Sequence, residues 1–268
     1  MTKLITSYQP SRKPGRQESD VALNGERMTK PAAREQNGFL RSLSEDDFEA
    51  LQPHLKTVDL SPDLTLVEIG QPISHVYFPH NAVVALVVEF QTGERVEVAL
   101  VGPDSLLGVF GVMGERVALI TAIVVLPGSA SVIEADRLRA AAKHSRSLRQ
   151  IMVRHSQALY VQAQQTAACN ALHTVNARLS RWLLRVRELR GSDQFKVTQE
   201  YIAAMIGSRR NAVSLAAHTL QQSNIIRYSR GHIEIADPEA LKKSACECYG
   251  ELRTQYQRLR FSCRPEIE

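Results

Sequence analysis

The sequence predicts an α+β fold in three parts: an antiparallel β-roll, a long helix, and two short helices followed by a hairpin. Three observations carry this. From residue 56 to 135, short β-rich runs alternate with Pro and Gly turn signals. Beyond them, side chains that seek burial recur in steps of three and four, the period of a helix seam. Charge divides the chain as well: residues 39–136 hold 4 Lys and Arg against 14 Asp and Glu, residues 137–170 hold 6 basic and no acidic residues, and residues 171–235 hold 10 against 4. The net charge of +5 over 268 residues hides that split. An acidic half joined to a cationic half suits a sensor or scaffold fused to a module that binds a polyanion.

Taken in order, residues 1–37 are rich in Ser, Pro, Gly, Gln and charge without apolar periodicity, and are expected to be a disordered tail. The roll is expected over 38–136, with order beginning near Phe39. "SLSEDDFEAL" reads as a short helix with Ser44 as N-cap, acidic residues in the first turn, and Phe48 and Leu51 as apolar contacts. "VDLSPDLTLVEIGQPISHVYFP", "AVVALVVEFQTGERVEVALVGPDSLLG" and "TAIVVLPGSASVIEA" then give strands separated by Pro-Asp, Gly-Gln-Pro, Thr-Gly, Gly-Pro-Asp and Pro-Gly, the spacing of a compact antiparallel roll. Residues 137–170 are expected to be a dimerisation helix. Its seam of Leu148, Met152, His155, Leu159, Gln162 and Thr166 would face a two-fold partner, although polar His155 and Gln162 could face a neighbouring loop instead. A second helix, about 172–190, carries Leu172, Val175, Leu179, Trp182, Leu183 and Val186 on one stripe and is ended by Gly191.

Residues 171–250 hold the chemistry. Thr198 can cap a helix whose core side is Ile202, Met205 and Ile206, Gly207 permits a sharp turn, and Ser208 is placed to cap the next helix. On a wheel at about 100° per residue, Val213, Ala216, Ala217 and Leu220 fall on one side, and Asn211, Ser214, Leu215 and His218 on the other, flanked by Arg210. Two adjacent arginines, Arg209 and Arg210, at a helix start that is already electropositive imply that an anion is to be met there. "NIIRYSRGHIEI" reads as strand, turn and strand with Arg230 at the tip. Helix, turn, helix and hairpin together make a winged helix-turn-helix. Arg210, Asn211, Ser214 and Leu215 are the expected base contacts, because Arg suits guanine, Asn adenine, Ser either, and Leu a thymine methyl. Ser208, Arg209, His218 and Arg230 are the expected backbone contacts.

The rest excludes more than it adds. The apolar runs at 82–88 and 117–126 are too short to span a membrane, and no apolar signal segment follows the first lysine, so a cytoplasmic location and no membrane partner are expected. Cys169, Cys246, Cys248 and Cys263 are too sparse for a disulfide scaffold. Cys246 and Cys248 lack a His/Cys pair of zinc-like spacing beside them and are read as reduced thiols in a C-terminal helix, with no metal and no cofactor expected. His75 and His80 are read as structural histidines, and no catalytic constellation is present, so the chain is not expected to be an enzyme. Residues 251–268 are left as a C-terminal extension.

The order of acidic roll, long helix and winged helix-turn-helix resembles the Crp/Fnr family of bacterial transcription regulators. The resemblance covers residues from about 39 to 250 and is carried most specifically by "VTQEYIAAMIGSRRNAVSLAAHTLQQSNIIRYSRGHIEIAD" and "VALVGPDSLLGVFGVMG". It implies a homodimer binding double-stranded DNA at an inverted repeat, RNA polymerase as a partner, and a cyclic-nucleotide-binding-like roll serving as a sensor for an unidentified small-molecule effector. Arg210 falls where the family carries its guanine-reading arginine, while Asn211 replaces a usual glutamate and Leu215 a usual second arginine. The competing reading is a small-molecule-binding or enzymatic barrel whose basic half makes protein contacts.

In family members that bind cyclic nucleotides, a Gly-Glu pair holds the ribose and an arginine pairs with the cyclic phosphate. In "LLGVFGVMGERVALITAIVV", Val109 stands at the glutamate position and Ile120 or Thr121 at the arginine position; Arg116 would serve only with a shortened loop. Control by cyclic AMP or cyclic GMP is therefore not expected, because a buried phosphate needs a cationic partner. An N-terminal iron–sulfur site lacks ligands too, the first cysteine being Cys169.

Overall fold

A computed structural model describes residues 30–114 and 116–261. Residues 1–29 of the tail expected over 1–37, and Cys263, lie outside the described residues. Order begins earlier than Phe39: α1 (Lys30–Gln36) and α2 (Gly38–Arg41) are both helical. Asn37, fully buried between them, caps α2 through its side-chain oxygen and donates from Nδ2 to the Pro79 and Ser105 carbonyls, each at 2.9 Å. These helices are too short to show a periodicity. Ser44 does cap α3 (Glu45–Leu51), accepting from the Asp47 N–H, and Phe48 and Leu51 are buried beneath it.

The roll is made of β1 (Lys56–Leu60), β2 (Thr65–Val67), β3 (His75–Pro79), β4 (Val83–Glu89), β5 (Arg95–Val101), β6 (Thr121–Leu126) and β7 (Gly128–Glu134), with α4 (Val109–Met113) between β5 and β6. All pairings are antiparallel, in the orders β1-β7-β3 and β2-β6-β4-β5. Val84, Leu86, Ala122 and Val124 point into the roll with α2 and α3. Their neighbours Val83, Ala85, Val87, Ile123 and Val125 point the other way and are buried just as fully, under the C-terminal half. A sheet buried on both faces reads as a continuous apolar run rather than an alternation, which is why "AVVALVV" and "TAIVVL" lack polar interruptions. His80 bridges the hydroxyls of Ser129 (3.2 Å) and Ser131 (2.8 Å), and burial alone lowers its pKa to about 4.

The helical segment after the roll is two helices, not one. α5 (Ala135–His144) ends at Ser145, whose hydroxyl accepts from the Leu148 N–H (3.0 Å) and starts α6 (Arg146–Leu172). The seam of α6 is covered by this chain's own roll. Leu148, Met152 and Leu159 lie in the core of this chain's own roll. His155 Nε2 sits 3.1 Å from the Leu106 carbonyl and 3.2 Å from the Ser105 hydroxyl. Gln162 accepts from the Leu100 N–H (2.8 Å) and returns a bond to the Leu100 carbonyl (3.1 Å). The four residues expected at the dimer interface, Leu148, Met152, His155 and Leu159, are thus spent within the monomer. A stripe at helix period reports that something covers it, not what.

α7 (Val175–Arg190) starts at Thr174 and ends at Gly191 in the left-handed region, φ +67°. β8 (Gln194–Lys196), α8 (Gln199–Met205), α9 (Arg210–Gln222), β9 (Ile226–Ser229), β10 (His232–Ile235) and α10 (Pro238–Ser244) complete the second core, with strand order β8-β10-β9. This core docks on the outer face of the four-stranded sheet, where Trp182 Nε1 donates to Glu97 Oε2 (2.7 Å) and Arg190 donates to the Asn81 and Pro127 carbonyls (2.8 Å each). Close approach is required at Gly102, where a Cβ would lie 2.7 Å from Leu189 Cδ2. α11 (Cys248–Phe261) then returns along α6, its Tyr256 hydroxyl accepting from Gln162 Nε2 (2.8 Å). At this junction Cys246 and Cys248 meet Cys169 and His173, a pairing hidden in the sequence because the partners stand more than 70 residues apart.

Candidate nucleic-acid interface

α8 is capped by Thr198, whose hydroxyl accepts from the Tyr201 N–H (3.1 Å). It closes with two bonds of a Schellman motif: Gly207 N–H to the Ala204 carbonyl (3.2 Å) and Ser208 N–H to the Ala203 carbonyl (2.8 Å), with Gly207 at φ +60°. Ser208 is therefore used as the last residue of the α8 cap. The N-cap of α9 is Arg209, with no side-chain capping bond, contrary to the expectation that Ser208 caps this helix. The first turn of α9 keeps its positive end unmasked. Arg209, Arg210 and Asn211 stand exposed there, and such a helix start favours an anion.

Burial divides α9 cleanly. Val213, Ala216, Ala217 and Leu220 are buried, while Leu215 is 68% exposed and Asn211 and His218 are on the open side. Ser214 is half-buried, and its hydroxyl donates to Gln199 Oε1 (2.6 Å), so it also ties α9 to the start of α8. Gln199 is not legible as a site residue in the sequence, nor is Tyr228. The Tyr228 hydroxyl accepts from the Gln199 N–H (3.1 Å), and its backbone N–H donates to Gln221 Oε1 (3.0 Å), fixing β9 against both helices.

The β9–β10 loop has two residues, Arg230 and Gly231, at φ +48° and +80° between the paired Ser229 and His232. Two positive φ values define a type I′ turn, where Asn-Gly is the favoured pair. An arginine there costs roughly 1 kcal/mol of backbone strain. The turn holds that guanidinium at an exposed hairpin tip. The exposed side of α9 thus carries Arg209, Arg210, Asn211, Leu215 and His218, and Arg230 stands at the exposed hairpin tip.

Residues 177–244 match the family described as Crp-like helix-turn-helix domain. The global nitrogen regulator of Synechocystis sp. (strain ATCC 27184 / PCC 6803 / Kazusa) is 26% identical over 204 residues, covering 73% of this chain and 90% of that protein. Among solved structures, FixK2 from Bradyrhizobium japonicum superposes with a TM-score of 0.62 at 16% identity, over 72% of this chain and 98% of that one. A CRP/FNR-family transcriptional regulator from Thermus thermophilus gives 0.59 at 20% identity, over 71% and 98%. Roll, long helix and winged domain thus share the fold of these solved regulators, and residues 177–244 form a Crp-like helix-turn-helix domain.

Proposed function

We propose that the chain is a homodimeric, cytoplasmic regulator that binds an inverted-repeat operator and does not answer to cyclic nucleotides. The observation that carries the reading is the uncapped, doubly basic start of α9, together with an arginine held at positive φ on the hairpin tip. Arg210, Asn211, Ser214 and Leu215 read bases, and Ser208, Arg209, His218 and Arg230 meet the backbone, with RNA polymerase as the partner downstream. Among the described residues, no helix is long and apolar enough to cross a membrane.

The partner helix meets the outer side of α6. Val153, Gln157, Tyr160, Gln164, Ala167 and Ala171 are all exposed and follow one another in alternating steps of four and three, with Tyr160 at 65%. That is a coiled-coil seam left open, opposite the one the roll covers. Arg210→Ala is expected to cost about 1–3 kcal/mol on the selected operator and little on random duplex, whereas Arg230→Ala weakens both alike and lowers the salt dependence. Selection from random DNA should return half-sites spaced by one helical turn or a multiple of it. Tyr160→Glu should give monomers in sedimentation velocity. An asymmetric single site, or operator affinity unmoved by either arginine substitution, contradicts the reading.

Cyclic-nucleotide independence is supported from inside the roll. Val109 is 1% exposed in the core, and Thr121 is buried with its hydroxyl accepting from the Ile69 N–H (3.2 Å). Arg116 is 69% exposed and pairs with Asp136 at 3.7 Å on the rim. Isothermal titration with cyclic AMP is expected to give no saturable heat; micromolar binding lost in Arg116→Ala would reverse this. An effector of another chemistry is compatible with the roll. The competing barrel reading would be favoured by a flat response to random duplex DNA at low salt.

A further inference from the structure

The meeting of α6, α7, α10 and α11 gathers the side chains of Cys169, His173, Cys246 and Cys248, whose ligand atoms all lie within 4.8 Å of one another. Cys169 is in the last turn of α6, His173 is the residue that caps it, Cys246 lies between α10 and α11, and Cys248 opens α11. The three cysteines are buried and His173 is half-buried.

We propose that these four residues form a mononuclear tetrahedral site for a thiophilic divalent cation, zinc, which fastens α11 to the joint between the long helix and the DNA-binding half. Bond lengths of about 2.3 Å to sulfur and 2.0–2.1 Å to nitrogen fix the edges of such a tetrahedron near roughly 3.8 Å between sulfurs and 3.6 Å between sulfur and nitrogen. The Cys169 and Cys246 sulfurs are 3.5 Å apart, and Cys248 Sγ is 3.5 Å from His173 Nδ1. An iron–sulfur cluster spreads its cysteines over several irons around bridging sulfides, and the set is too tight for that.

The surroundings are those of a ligand set. His173 Nε2 faces Glu247 Oε1 at 3.2 Å. A proton held there by the carboxylate leaves the Nδ1 lone pair directed at the sulfurs, the arrangement by which carboxylates orient metal-binding histidines. Gln165 Nε2 donates to Cys248 Sγ at 3.0 Å. Buried Arg181 lies close enough to Cys169 to act on it electrostatically. Three thiolates around a divalent ion leave one negative charge, which buried Arg181 offsets. A Cys169–Cys246 disulfide would use two of the four groups and give the His173–Glu247 pair no task.

The test uses the full-length chain and does not depend on its DNA-binding activity. Protein purified under reducing conditions without chelator should contain one zinc per chain by plasma mass spectrometry. After zinc is stripped, titration with Co²⁺ should produce the strong ligand-field bands of tetrahedral cobalt and a thiolate-to-metal charge-transfer band, saturating at one equivalent and bleached by Zn²⁺. Cys169→Ser and Cys248→Ser should lose the spectrum. Cys263→Ser should keep it, and Glu247→Gln should keep the stoichiometry while weakening affinity about 10- to 100-fold. Because the cobalt spectrum is read on the unsubstituted chain, misfolding of a serine variant cannot mimic success. No metal retained with all thiols reduced, a weak octahedral cobalt spectrum, iron with inorganic sulfide, or a Cys169–Cys246 disulfide in anaerobically purified protein would each overturn the proposal.

Discussion

Asp104→Ala is expected to destabilise the protein by about 3 kcal/mol, the lower end of what breaking a buried ion pair costs. Asp104, in the loop after β5, accepts from Arg185 of α7 at 2.8 Å, and the two side chains are only 16% and 12% exposed. This bond joins the roll to the DNA-binding half. Removing the carboxylate strands a guanidinium that already lies over the Tyr256 ring, 5.1 Å from its centroid, with Glu188 too far, at 3.8 Å, to replace the lost bond fully. The pair is not bidentate: among the described residues, Asp104 Oδ1 and Arg185 Nε are buried without hydrogen-bond partners. Its desolvation is incompletely repaid, so the double variant Asp104→Ala/Arg185→Leu should recover most of the loss. Urea unfolding of the two single variants and the double variant closes the cycle. A cost below about 0.5 kcal/mol for Asp104→Ala, the usual range of a surface change, would show that the pair is solvated and the junction is held elsewhere.

What the sequence shows and conceals follows from how local each signal is. The turn signals between strands, the Ser44 and Thr198 caps and the left-handed Gly191 and Gly207 are properties of a few neighbouring residues, and each is found where its chemistry predicts. The α6 seam is half-legible. Its period announces a covered stripe, but only the fold reveals that the roll covers it, and His155 and Gln162 are the clue, since they serve the backbone of Leu106 and Leu100. Ser208 misleads because a serine before a helix satisfies a capping rule equally well from the end of the preceding helix. The α9 face is legible as a pattern of small, polar and apolar residues. Gln199 and Tyr228, which hold that face to the hairpin, are not, because their partners are distant in sequence. The cysteine cluster is the least legible for the same reason: Cys-x-Cys and Cys-x₃-His are weak signals until folding superimposes them.

Glu97→Gln is expected to remove a stability change of up to about 3 kcal/mol between acid and neutral pH. Glu97 is 4% exposed between β5 and α7. Burial raises its pKa from 4.5 to about 7, opposed by the hydrogen bond from Trp182 and the charges of Arg181 and Arg185. Below pH 4.5 the side chain is protonated whether the chain is folded or not, and the stabilising difference is fully present. Between pH 4.5 and 7 the unfolded chain releases this proton while the folded chain keeps it, so stability falls as pH rises, by about 1.4 kcal/mol per unit. Above pH 7 the folded carboxyl ionises too, and the slope ends. Glutamine keeps an acceptor for Trp182 Nε1 without the charge. The variant should therefore match the original chain near pH 4.5 and exceed it in stability by up to about 3 kcal/mol at about pH 8. Groups elsewhere, His80 among them, titrate equally in both proteins and cancel in the difference. Trp182→Phe, which removes the donor N–H, should push the transition to higher pH. Urea unfolding at half-unit steps across this range measures the difference curve; a flat curve would mean that Glu97 is ionised in the folded chain throughout and that Arg181 and Arg185 outweigh its burial.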